Sequence, residues 1–156
     1  MTTTTTDIAV AHAVSPRVSA YPWSAGFGTK YANPGTALPG TGRGVAFGVA
    51  DIAVAHSDYP RVSAYPWSAG FGTKYANPGT ALTGDGYGIA FGVADIAIAH
   101  FGSPYVSAYP WSAGFGTKYA NPGTLPAGYG RGVAFRNVTS TPATSSRRRR
   151  LFCSGA

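Results

Sequence analysis

Apolar and polar positions alternate along this chain in short bursts. In Asp7-Ile8-Ala9-Val10-Ala11-His12 the large residues Ile8 and Val10 fall on one side and the alanines on the other, the period of two that a pleated strand imposes. The burst returns as DIAVAH at 51–56 and DIAIAH at 95–100. A second, Arg17–Trp23, sets Val18 and Ala20 against Ser19, Tyr21 and Trp23, and returns at 61–67 and 105–111. Pro22 has no N–H to donate, so this strand must end or run along an edge there. A third strand is predicted over Thr29–Asn33, closed by Pro34-Gly35, and a fourth at Gly44–Phe47, Gly88–Phe91 and Gly132–Phe135. Almost no run escapes Gly or Pro for ten residues, which excludes helices.

The bursts belong to a tandem array. The stretch VSAYPWSAGFGTKYANPGT at Val18–Thr36 recurs letter for letter at Val62–Thr80 and Val106–Thr124, an offset of 44 residues. Variation gathers in the Gly-rich connection (ALPGTGR, ALTGDGY, LPAGYGR), as a surface loop tolerates. A unit of four short antiparallel strands cannot bury both faces of its sheet alone, so like units must stack. Four strands per ~40–45 residues is the blade of a β-propeller. The fold expected is therefore all-β, with three tandem four-stranded blades over residues 7–135. Residues 1–6, a Met and five Thr, and the Ser/Thr/Pro/Arg-rich residues 136–156 are expected to be disordered.

The residues VAFxxxDIAVAHSDYPRVSAYPW resemble the WD40-like repeat, with its VAF-type inner strand, acidic-bounded hairpin, I-A-x-A strand and polar turn. The resemblance covers about residues 7–135. It departs where Tyr21-Pro22, Tyr65-Pro66 and Tyr109-Pro110 hold the Trp-Asp position, and where Gly48-Val49-Ala50 shortens the turn. In the polar turn the expected acid is present only as Asp58. The resemblance implies a divergent bacterial or phage propeller array.

The strand order is permuted. The array starts at DIAVAH without a preceding GVAF strand and finishes on an extra GVAF at Gly132–Phe135. Three blades are too few for a ring, since rings take ~4–8. Two copies would give six, each completing the other's first blade; a fragment of a longer array and an open stack are the rival readings.

Charge narrows the partners. Four of the twelve basic residues are Arg147–Arg150, so the body holds eight against five acids; a mildly basic body is not the basic stripe of a nucleic-acid binder. The single Cys153 allows no internal disulfide. No apolar run approaches the ~20 residues of a membrane helix, and the start lacks the features of a secretory signal. A cytoplasmic or virion-associated protein is expected, with the compartment otherwise open.

Candidate chemistry is sparse. His12, His56 and His100 recur once per unit with no nearby acid or Cys as co-ligand, so strand-end histidines bonded to backbone are expected and no metal. Tyr21, Trp23, Tyr65, Trp67, Tyr109 and Trp111 are the candidate binding residues, for a protein or a glycan, with packing between blades as the competing role. Lys30, Lys74 and Lys118 are placed on an outer strand, guarding its edge. Asn137 heads a glycosylation sequon. The five acids are all Asp, and Asp7, Asp51 and Asp95 are repeat-equivalent, which suits structure better than an asymmetric active site. The sequence thus reads as a non-catalytic binding or structural module without cofactors. The alternatives are an inactive relative of lactonase-like propeller hydrolases and a virion component.

Overall fold

The computed structural model describes residues 6–136. It is all β, with eight strands: β1 (Thr6–Ala11), β2 (Val18–Trp23), β3 (Gly42–Phe47), β4 (Asp51–His56), β5 (Val62–Pro66), β6 (Gly86–Phe91), β7 (Asp95–His100) and β8 (Val106–Pro110). They form three separate antiparallel sheets, β1-β2, β3-β4-β5 and β6-β7-β8. The sheets do not close on one another. Among the described residues no helix is long and apolar enough to cross a membrane.

Each full sheet is two hairpins sharing a strand. The Gly48-Val49-Ala50 turn joins β3 to β4, with Gly48 N–H donating to the Asp51 carbonyl at 2.8 Å. Val45 then lies opposite Val54, and Val54 opposite Ser63. The β4–β5 connection ends on Arg61 at φ 69°, and its counterparts Arg17 and Tyr105 are both at φ 70°.

Two expected strands are not formed. Thr29–Asn33 and its repeats at 73–77 and 117–121 carry no ladder. Each touches the neighbouring strand through a single backbone bond, Tyr31 N–H to Ala20 O at 2.9 Å in the first unit. The edge of β2 cannot extend that pairing, because Pro22 offers no donor and its carbonyl already accepts from Gly28 at 2.8 Å. Among the described residues Gly132–Phe135 likewise has no strand partner. Its counterparts β3 and β6 ladder with the DIAVAH-type strand that follows them. For the converse reason the first sheet has two strands rather than three. Four-stranded units are thus replaced by sheets of two and three strands. Of the expected disordered segments, Thr6 opens β1; residues 1–5 and 137–156, with the Arg147–Arg150 run, Cys153 and the sequon, lie outside the described residues.

The sheets stack face to face, and two cores fill the gaps. Ile52, Val54 and Tyr65 of the second sheet pack with Val18 and Leu38 of the first unit. Ile96, Ile98 and Tyr109 of the third pack with Ala53, Ala55 and Ala64 of the second. Every sheet therefore has a large-residue face and a small-residue face, and large meets small at each junction. The alternation of Ile and Val with Ala in DIAVAH produces this directly. Along the GVAF strands the backbones themselves touch. A Cβ at Gly44 would run into the carbonyl oxygen of Tyr87, and one at Gly88 would lie 2.6 Å from Gly132 Cα. Only glycine permits that approach.

Candidate functional site

The chemically apt side chains gather at the junctions between units. Asp51, first residue of β4, accepts the Tyr75 hydroxyl on Oδ1 at 2.7 Å and the Trp111 indole N–H on Oδ2 at 2.9 Å. Tyr75 belongs to the same unit and Trp111 to the next. Asp7 repeats the arrangement with Tyr31 and Trp67, both at 2.8 Å. Asp95 accepts from Tyr119 at 2.7 Å, and among the described residues no indole reaches its other oxygen. Burial first, then the bond to Asp51, pushes the Tyr75 hydroxyl up to about 12. The Asp7 bond chiefly raises Tyr31, and the Asp95 bond Tyr119.

The candidate aromatics divide by position. Trp67 is caged edge-to-face by Tyr31, Phe47 and Phe71 at 5.2, 5.1 and 5.1 Å. Trp111 has the same cage from Tyr75, Phe91 and Phe115 at 5.4, 5.2 and 5.1 Å. Of those three partners Trp23 keeps only the equivalent of the last, Phe27 at 5.1 Å, and it is 38% exposed. Tyr65 and Tyr109 are fully buried, each donating its hydroxyl at 2.7 Å to a carbonyl of the preceding unit, Thr36 and Thr80. Burial pushes Tyr65 up to about 12 and raises Tyr109. Tyr21, in the first described unit, is half-buried against Phe27. The structure therefore leaves Tyr21 and Trp23 reachable and folds the other four into junctions.

Each histidine ring also reaches a side chain across its hairpin. His12, His56 and His100 share hydrogen bonds of 3.0 Å with Ser19, Ser63 and Ser107 across the hairpin. His56 and His100 are fully buried. Burial lowers both, His56 to about 4, so near neutral pH they are uncharged. Among the described residues no three His, Cys, Asp or Glu side chains converge to hold a metal. The lysines stand in loops instead of on an outer strand: Lys30, Lys74 and Lys118 bond Asn33, Asn77 and Asn121 within their own turns.

Two equivalent open clefts lie at the junctions. One, of about 350 Å³, is lined by Gly35, Thr36, Phe71, Gly72, Thr73 and Lys74; its counterpart one unit on has the same volume. Neither contains a carboxylate or an imidazole.

Segments that differ between units meet one another on one rim. The Thr41 N–H donates to Ser57 Oγ at 3.0 Å, Thr83 Oγ1 to the Ser103 carbonyl at 2.6 Å, and the Tyr129 ring lies 5.0 Å from Phe101. Arg43 reaches forward to Asp85 at 2.9 Å and covers the Tyr87 ring at 4.4 Å. Tyr59, Phe101 and Tyr129 are exposed here, at 62%, 54% and 44%.

Sequence reasoning named the repeated Asp, Tyr, Trp and His but not their pairing. The His–Ser pairs had a signal, seven residues apart across a predicted hairpin in every unit. The Asp–Trp pairs are 60 residues apart and cross a unit boundary, which no local pattern marks. Compared with known proteins, the chain matches no family model, no curated protein and no solved structure.

Proposed function

We propose that this chain is a non-catalytic interaction module: a rigid array of WD40-like units, of β-propeller type, that presents a variable rim to a protein partner. The observation that carries this reading is the state of the repeated carboxylates. Asp7 and Asp51 each have both oxygens occupied, one by their own unit and one by the next, so they are joints and not free acids or bases. A general acid or base needs a reachable proton, and these are committed to a tyrosine and an indole. The rim supports the binding half of the proposal. An invariant framework with differences gathered at one edge, bearing exposed aromatic rings, suits recognition.

The propeller-type geometry draws support from the way like sheets stack. Glycine along the GVAF strands lets the backbones of neighbouring units touch, and Tyr31 and Tyr75 meet Trp67 and Trp111 of the next unit, so each unit leans on the next as blades do. A panel of lactone and ester substrates, assayed with and without divalent metal, tests the non-catalytic assignment. Rates equal to buffer are expected; saturable turnover abolished by Asp51→Asn would overturn it.

A further inference from the structure

The two outer faces of the stack are copies of faces that already bind each other inside it. The first sheet presents Ile8, Val10, Tyr21 and Trp23, the equivalents of Ile52, Val54, Tyr65 and Trp67. In the second sheet the first three are fully buried, whereas Val10 is 46% exposed. At the opposite side Asp95 and Tyr119 wait as Asp51 and Tyr75 do, and Phe135 stands 38% exposed where Phe91 covers Trp111. Phe135 already packs against Gly92 as Phe91 packs against Gly48.

We infer that a second copy of this chain docks head to tail on these faces, with its Trp23 entering the pocket formed by Asp95, Tyr119 and Phe135. Each contact is one the molecule makes twice within itself. The Trp23 indole N–H donates to Asp95 Oδ2, as Trp67 does to Asp7 and Trp111 to Asp51. The Tyr21 hydroxyl donates to the Thr124 carbonyl, as Tyr65 does to Thr36 and Tyr109 to Thr80. Carried forward by the repeat, the Val45–Val54 and Phe47–Ile52 pairings place Val133 opposite Val10 and Phe135 opposite Ile8 of the second copy. The unpaired Gly132–Phe135 segment becomes the third strand of the two-stranded sheet, which removes an exposed edge. The interface joins unlike patches, so it is heterologous. It closes into a ring or propagates as the rotation per unit dictates, and two copies bring six units, within the ~4–8 of known rings.

The test is the solution mass of the full chain by light scattering across a concentration series. Twice 16.0 kDa, or a larger multiple, is expected, with association weakened about tenfold or more by either Trp23→Ala or Asp95→Arg, since a hydrogen bond to a charged group is lost in each. Mixing the two variants decides the geometry. One keeps an intact Asp95 face and the other an intact Trp23 face, so together they form a one-to-one pair tighter than either forms alone. Tyr21→Phe, which removes a single hydroxyl, gives a smaller weakening and guards against misfolding of the larger changes. A chain that stays monomeric at millimolar concentration overturns the inference. So do variants that associate like the parent, or a mixture that fails to pair. The mass and the substrate panel read separate properties, so either proposal can fail without the other.

Discussion

The first and second units share almost every residue, yet they live in different surroundings. Tyr65 is sealed while Tyr21 is half-buried; Val54 has no exposure while Val10 has 46%. Trp67 has an aspartate and three rings around it, and Trp23 has one ring. The residues compared are identical in the two units, so the difference is the neighbour. In this molecule burial belongs to the junction rather than to the unit, as nearest-neighbour repeat energetics require.

Truncating the two tryptophans gives the sharpest break. Trp67→Ala should cost ~3–5 kcal/mol, the usual range for emptying an aromatic cage in a core. Trp23→Ala should cost ~1 kcal/mol or less in the dilute monomer, as a partly exposed site does. Urea unfolding of both measures this, and equal costs would show that burial here is not set by the neighbour.

A pH series sharpens the same point for polar groups. His56 titrates at about 4 in the folded chain and near ~6.5 when unfolded. Below ~6.5 the unfolded chain therefore binds more protons. Its contribution to stability is complete above that pH, falls as the pH drops toward about 4, and is wholly lost beyond. The full loss is ~3 kcal/mol, and His100, lowered in the same direction by burial, adds to it. His56→Gln should flatten the stability profile between those limits; an unchanged slope would assign the acid sensitivity elsewhere.

The smallest effect should be the same in every unit. Ala25, Ala69 and Ala113 hold φ of 53°, 50° and 50° and are exposed in all three units. Replacing each with Gly relieves a left-handed alanine but loosens the unfolded chain. The net change should lie within ~0.5 kcal/mol and agree among the three sites. A spread larger than that, seen in thermal melts, would mean that even this turn senses its position in the stack.

The period-two bursts were a faithful guide to the strands: Asp51–His56 and Asp95–His100 are paired over their whole predicted length. The Gly48-Val49-Ala50 turn was legible for the same reason, since a short turn between two alternating runs leaves little choice. Thr29–Asn33 looked like a strand by composition, but the prolines that bound it and interrupt its neighbour leave one bond where a ladder needs several. The aromatic candidates were correctly singled out as special. Their fate could not be read locally, because Trp111 is explained by Asp51 in the previous unit. Repetition announces that every unit has an Asp and a Trp; it does not announce which Asp meets which Trp.

The rim where variable segments meet has one more consequence. A polypeptide built from near-identical modules is at risk of scrambled assembly during folding, because strand four suits strand one's partner almost as well as its own. The invariant framework cannot tell these apart. Arg43 with Asp85, and Tyr129 with Phe101, differ from junction to junction, so they distinguish one junction from the next.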